Sequence, residues 1–204
     1  MTGRRAWLPG TFGTLAAVTP RRDPRRPDVT TVEMVGGTEK RALVLADHDP
    51  GWAEAFCEQE RRIRAALGPA AVQVEHIGST SVPGLAAKPI IDVLVTVEDI
   101  TAEEDYLDQL LDAGYALRVR EPGHRMVRTP ARDVHVHVMA VGDEAAEDYL
   151  LFRDRLRSDP EDRDLYERTK RDLIGQEWAD MNAYAEAKTE VVADIKERAR
   201  QAHP

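Results

Sequence analysis

One cysteine, Cys57, in 204 residues is too few for an intramolecular disulfide and leaves no cysteine cluster to hold zinc. No apolar run approaches the roughly 20 residues that a helix needs to cross a bilayer, so no membrane partner is expected. The broken stretch from Ala6 to Val18 follows Arg4 and Arg5 and contains Pro9, Gly10 and Gly13, which makes a poor signal-peptide core. The cytoplasm is the expected compartment. Positive charge is also short: 28 Lys and Arg face 37 Asp and Glu, a formal net charge of −9. The whole molecule therefore repels phosphate polymers, and nucleic acid is not the expected partner, although a local basic pocket is compatible with that sum. No internal repeat and no heptad array is present. What is there, 42% hydrophobic and 32% charged residues, is the composition of a globular protein long enough for one well-buried core. Nothing in the pattern sets an oligomeric state.

The chain divides near residue 40. Residues 1–40 carry a basic, proline-bearing segment, Pro20-Arg21-Arg22-Asp23-Pro24-Arg25-Arg26-Pro27, with no helical or alternating periodicity. Pro and charge together disfavour a packed core, so a flexible N-terminal arm is expected, with 41–204 as the domain. A basic arm that docks on an acidic partner is the functional alternative to a dispensable tail. Residues 41–46 read as a strand, and Asp49-Pro50 then opens a helix, with Asp49 as its cap. Trp52, Phe56, Ile63 and Leu67 recur on one face of that helix, and Gly68 ends it. Residues 71–77 and 89–97 read as strands, and 101–113 as a helix. Strand candidates follow at 115–120, 125–129 and 134–141. Everything beyond Asp143 reads as helix, broken at Ser158-Asp159-Pro160. This order implies an α/β (α+β) fold, a mixed sheet flanked by helices with further helices at the C-terminus.

The chemistry concentrates between residues 75 and 95. A strand ends at Gly78, where the missing Cβ permits unusual dihedrals or the close approach of another group. Three hydroxyls, Ser79, Thr80 and Ser81, follow in a loop able to cradle an anion, or else to serve as turn and capping residues. Asp92 then stands inside the apolar strand Pro89-Ile90-Ile91-Asp92-Val93-Leu94-Val95. A buried carboxylate needs a cation, a metal or several donors. Lys88 is a candidate clamp on phosphate or a solvated turn residue. His135 and His137 share a strand face by period two and are candidate metal or phosphate ligands. His76, directly before the loop, is either a further ligand or a hydrogen-bonded hinge. Arg153 and Arg157, four apart, lie on one helix face and suit an anionic ligand or pairing with Asp154 or Asp159. Tyr166, Lys170, Tyr184 and Lys188 read as amphipathic surface cover, with a cleft lining as the alternative.

The stretch from Glu75 to Val95 closely resembles the signature of the GrpB family, of the form HIGSTSVPGLxAKPIID. Further pieces agree in order: Asp49-Pro50-Gly51-Trp52, Gly114-Tyr115, His135-Val136-His137, and Phe152-Arg153-Asp154-Arg155-Leu156-Arg157. Tyr166 and Lys170 complete a resemblance that covers about residues 42–198. It implies a fold like the nucleotidyltransferases of the DNA polymerase β superfamily, in which a Gly-Ser loop precedes an Asp-x-Asp/Glu pair on the next strand. Gly78-Ser79 and Asp92 match those positions, with 12 residues between Ser79 and Asp92. The second acid is missing, because Leu94 stands there. Two-metal phosphoryl chemistry needs several anionic ligands, so His76, Asp133, His135 and His137 are the available substitutes. The resemblance points to no single reaction, and some relatives are fused to a dephospho-coenzyme A kinase.

Two functions follow as expectations. The first is a metal-assisted transferase moving a nucleotidyl or phosphoryl group from a nucleoside triphosphate to a small acceptor. Asp92, Lys88 and His137 would be catalytic, and Gly78, Ser79, Thr80, Ser81, Arg153 and Arg157 would hold the nucleotide. Asp92, His76, His135 and His137 would hold Mg²⁺ or a transition metal. The second is a non-catalytic nucleotide- or coenzyme A-binding accessory module with a degenerate metal site.

Overall fold

The computed structural model describes residues 23–39 and 44–202. Half of the expected strand 41–46, residues 41–43, therefore falls outside the described residues, and residues 44–46 form a single bridge rather than a strand. Its last residue, Ala46, exchanges two backbone hydrogen bonds of 2.9 Å with Ala87. Helix α1, Gly51–Leu67, begins where the Asp49 carboxylate accepts from the Gly51 amide at 2.8 Å. Trp52, Ile63 and Leu67 bury its apolar stripe, and Gly68, at φ +52°, closes it.

Strand β1 is Glu33–Met34, β2 Gln73–Ile77, β3 Ile91–Val97, β4 Ala116–Glu121, β5 His124–Arg128 and β6 Val134–Ala140. They form one mixed sheet in the order β1-β4-β5-β6-β3-β2. The β3–β6 pair is parallel and every other pair is antiparallel. Between β3 and β4 the expected helix 101–113 is shorter, a 3-10 turn at Glu103–Asp105 and then α2, Leu107–Asp112.

Period-two alternation gives the sheet two faces. Val93, Val95 and Val97 of β3, with Val134, Val136 and Val138 of β6, pack against Trp52, Ile63 and Leu110 of the first two helices in the main core. The opposite face presents Asp92, Leu94, His135, His137 and Met139, and the C-terminal helices cover it. These are α3 (Glu144–Ser158), α4 (Pro160–Ile174), α5 (Met181–Glu186) and α6 (Thr189–Ala202). The break between α3 and α4 lies where Ser158-Asp159-Pro160 placed it: Asp159 caps α4 by accepting from the Asp162 amide at 3.0 Å, and Pro160 takes the first position. Ala146 and Leu150 of α3 sit over Ile77, Leu94 and Met139. No helix among the described residues is long and apolar enough to cross a membrane.

The expectation of a free arm through residue 40 does not describe 23–39. Strand β1 pairs with β4 at the sheet edge. Asp28 accepts from the buried Arg125 guanidinium and from the Gly123 amide. Glu39 pairs with Arg128 at 2.7 Å. Composition misled here because the arginines and acids that look like a solvated run find fixed partners across the sheet.

Candidate functional site

The sheet face under α3 carries the site at the start of β3. Ile77, the last residue of β2, lies directly opposite Asp92, and Asp92 lies opposite His135. Gly78 then turns the chain at φ +69°, and a Cβ there would stand 2.4 Å from Asp92 Oδ2, so only glycine fits so close to the carboxylate. Asp92 Oδ1 is 3.5 Å from His135 Nδ1 and 3.6 Å from His137 Nε2. One ligand atom from each of the three residues can be chosen so that all lie within 4.8 Å of one another.

This trio opens into a cavity of about 390 Å³ whose far wall comes from the C-terminal helices. Lys170, 3% exposed, donates from Nζ to Ser79 Oγ at 3.2 Å and to the Ala86 carbonyl. Burial, and then the nearby Lys188, push its pKa down to about 7. Lys88 Nζ lies 3.9 Å from the Tyr184 ring centre, and Lys188 Nζ lies 4.5 Å from the same ring. Three lysines thus approach one cavity in a molecule of net charge −9. Tyr166, Lys170, Tyr184 and Lys188 are cavity wall rather than surface cover.

Several expected residues stand elsewhere. His76 points to the other face of the sheet, stacked on Phe56 at 4.6 Å, and is not beside the Asp92 cluster. Its Nε2 pairs with Thr80 Oγ1 at 3.1 Å, and burial first, then Arg157, lower its pKa to about 4. It is the hinge residue of the two readings. Thr80 and Ser81 give their hydroxyl protons to the Ile90 and Gly78 carbonyls, at 3.0 and 2.6 Å, so of the three hydroxyls only that of Ser79 meets a cavity lysine. Arg153 is held by Glu75 at 2.8 Å and the His76 carbonyl, and Arg157 donates to the Ser81 carbonyl at 3.0 Å. Both arginines brace the turn and neither lines the cavity. Asp133 accepts from Thr129 Oγ1 in the β5–β6 turn. Leu94 is fully buried beneath α3.

Two residues absent from the sequence reading complete the cluster. His124 Nε2 lies 3.1 Å from His137 Nδ1, and His124 Nδ1 lies 2.7 Å from Glu121 Oε1. The usable signal was the alternation His124-x-Met126 on the strand antiparallel to His135-x-His137. His124 and Glu121 face a second cavity of about 570 Å³, which shares Gly78, Ser79, Tyr149 and Tyr166 with the first.

Comparison with known proteins agrees along most of the chain. The profile of the family described as GrpB protein matches residues 42–198. A UPF0157 protein of Streptomyces coelicolor is 64% identical over 175 residues, which is 86% of this chain and 94% of that protein. The crystal structure of the conserved protein GrpB from Enterococcus faecalis superposes with a TM-score of 0.70 at 31% identity, covering 78% of this chain and 99% of that one. A dephospho-CoA kinase of Mycolicibacterium paratuberculosis is 30% identical over 184 residues, 76% of this chain but 45% of the kinase.

Proposed function

From the premise that this chain belongs to the GrpB family, we propose that it is a metal-assisted transferase moving a nucleotidyl or phosphoryl group from a nucleoside triphosphate to a small acceptor. One observation carries the reading: Lys88, Lys170 and Lys188 share a single cavity with Ser79 and with Asp92, His135 and His137. Gathered ammonium groups in an acidic protein suit a small polyanion, because a polyphosphate chain offsets their mutual repulsion. Ser79 and Lys170 would hold the phosphates, and Lys88 and Lys188, against the Tyr184 ring, would neutralise them. A divalent ion on Asp92, His135 and His137 would add positive charge at the reacting phosphate. In the nucleotidyl form, an acceptor oxygen bonds to the α-phosphorus as the bond to pyrophosphate breaks, and the acceptor's proton passes to water. The second cavity, beside the ligand cluster, is the place for the acceptor.

A second reading has its own support. Leu94 lies under α3 where the resemblance calls for an acid, so one strand offers a single carboxylate. That favours a nucleotide- or coenzyme A-binding module without turnover, and the matching segment in a relative named dephospho-CoA kinase is consistent with it. Thermal shift with nucleoside triphosphates and coenzyme A derivatives, with and without divalent cations, separates the two. A ligand at 100 times its dissociation constant adds about 2.7 kcal/mol. The transferase reading expects stabilisation by triphosphates and release of pyrophosphate or of the nucleoside diphosphate when an acceptor is supplied. Stabilisation by coenzyme A alone, with neither product, would replace it with the module.

A further inference from the structure

We infer that Glu121 and His124 form an outer relay that fixes the tautomer of His137, and that Asp92, His135 and His137 make a three-ligand site for one four-coordinate ion of the zinc class. This deepens the metal part of the proposed function and does not depend on the transfer step.

With a neutral imidazole at His124, the hydrogen-bond pattern leaves one assignment. A carboxylate only accepts, so the 2.7 Å contact between Glu121 Oε1 and His124 Nδ1 places the proton on Nδ1. In the neutral ring Nε2 is then an acceptor, and its partner at 3.1 Å, His137 Nδ1, must donate. The rings are 9° from parallel with centroids 5.2 Å apart, farther than the bonded nitrogens. They therefore meet end to end, as an N–H···N bond requires. His137 is left with a bare Nε2 directed toward Asp92. This is the tautomer a metal needs, and a histidine ligand whose other nitrogen donates to an outer partner is the usual arrangement in metal sites.

The separations point the same way. At 3.5 and 3.6 Å, the two imidazole nitrogens are too far from Asp92 Oδ1 for good hydrogen bonds. Ligand atoms about 2.0–2.2 Å from a tetrahedral ion are about 3.3–3.6 Å from each other, which these two distances match. Neighbouring ligands around octahedral Mg²⁺ would be about 3 Å apart, and Mg²⁺ prefers oxygen donors. Two imidazoles and one carboxylate suit zinc and its borderline neighbours. Leu94, buried at the position of the missing acid, supplies no ligand for a second ion. Three protein ligands leave a fourth place for water or substrate, the arrangement of catalytic rather than structural zinc.

The test uses the full chain, stripped of metal, with no nucleotide. Zn²⁺ is titrated against a competing chromogenic chelator, and Co²⁺ is added separately to read its visible spectrum. The expected result is one Zn²⁺ per chain, no displacement by millimolar Mg²⁺, and the intense visible bands of four-coordinate Co²⁺. His124→Phe keeps a flat ring but removes both nitrogens, and should weaken Zn²⁺ binding about 10–100-fold while the metal-free melting temperature holds. Glu121→Gln should weaken it in the same direction, because an amide can donate to His124 and reverse both tautomers. If His124→Phe does not fold, Glu121→Gln decides alone. Absence of stoichiometric binding, equal competition by Mg²⁺, weak six-coordinate Co²⁺ bands, or unchanged affinity in the folded variants would overturn the inference. Zinc binding without group transfer sinks only the proposed activity, and nucleotide stabilisation without zinc binding sinks only the site.

Discussion

Lys170 carries the clearest conflict between folding and ligand binding at the scale of a single residue. Its pKa falls from an ordinary 10.5 to about 7 because burial, and then Lys188, disfavour its charge. Between those two pH values the unfolded chain holds a proton that the folded chain has released. Stability of the ligand-free protein therefore rises with pH across that window, and the full penalty applies below about 7. At about 1.4 kcal/mol per pKa unit the penalty is on the order of 5 kcal/mol. Lys170→Met should remove it but leave the Ala86 carbonyl without its donor, a loss of about 1–3 kcal/mol. The expected net gain at pH 6 is about 3 kcal/mol, together with a flattened pH slope and lost stabilisation by triphosphates. Urea midpoints at pH 6, 8 and 10 check this. A rising limb that survives in the variant would assign it to another group.

At the scale of the element, β3 shows why the missing acid cannot simply be restored. Asp92 opens onto the cavity, whereas Leu94, two residues on, is packed with Ile77, Met139 and Ala146. Leu94→Asp should cost about 4 kcal/mol, since it buries a carboxylate with no partner, and should add no Mg²⁺ affinity. Undiminished stability with new Mg²⁺ binding would show that position 94 reaches the cavity after all. Within one strand the sequence was legible: alternation put His135 and His137 together and marked Asp92 as anomalous. Between strands it was not. His76 precedes by one residue the position opposite Asp92, and that parity depends on the register across Gly78, which no local pattern encodes. Glu121 and His124 escaped notice for the same reason, since they join His137 only across two antiparallel pairings. The C-terminal helices failed differently: a polar helix face looks the same whether it meets bulk water or a lined cavity. Arg153 and Arg157 do share a face as their spacing implies, but Glu75, from the distant strand β2, claims the first.

For the molecule as a whole, residues 23–39 belong to the fold. Arg125, 2% exposed, is shared by Asp28 and Glu103. Hydrogen bonding to Arg128, against the cost of burial and helped by Arg118 and Arg132, lowers the Glu39 pKa to about 2. Removing residues 1–40 takes away Asp28, Glu39 and strand β1 together. A loss of about 3 kcal/mol is expected from the broken buried pair, read as a lower denaturant midpoint. An unchanged midpoint would restore the free arm.

The division of the cavity between sheet and helices also has a consequence for biosynthesis. Every residue of the proposed metal site has been made once His137 is added, whereas Lys170 and Lys188 belong to the last part of the chain. At about 5–20 residues per second, the ribosome needs roughly 3–10 seconds to go from His137 to Lys188. Until those helices are made, the growing chain lacks Lys170, Lys188 and the cover that α3 gives Ile77, Leu94 and Met139. The C-terminal helices therefore act on the growing chain as the piece that ends the exposure of this apolar face to aggregation.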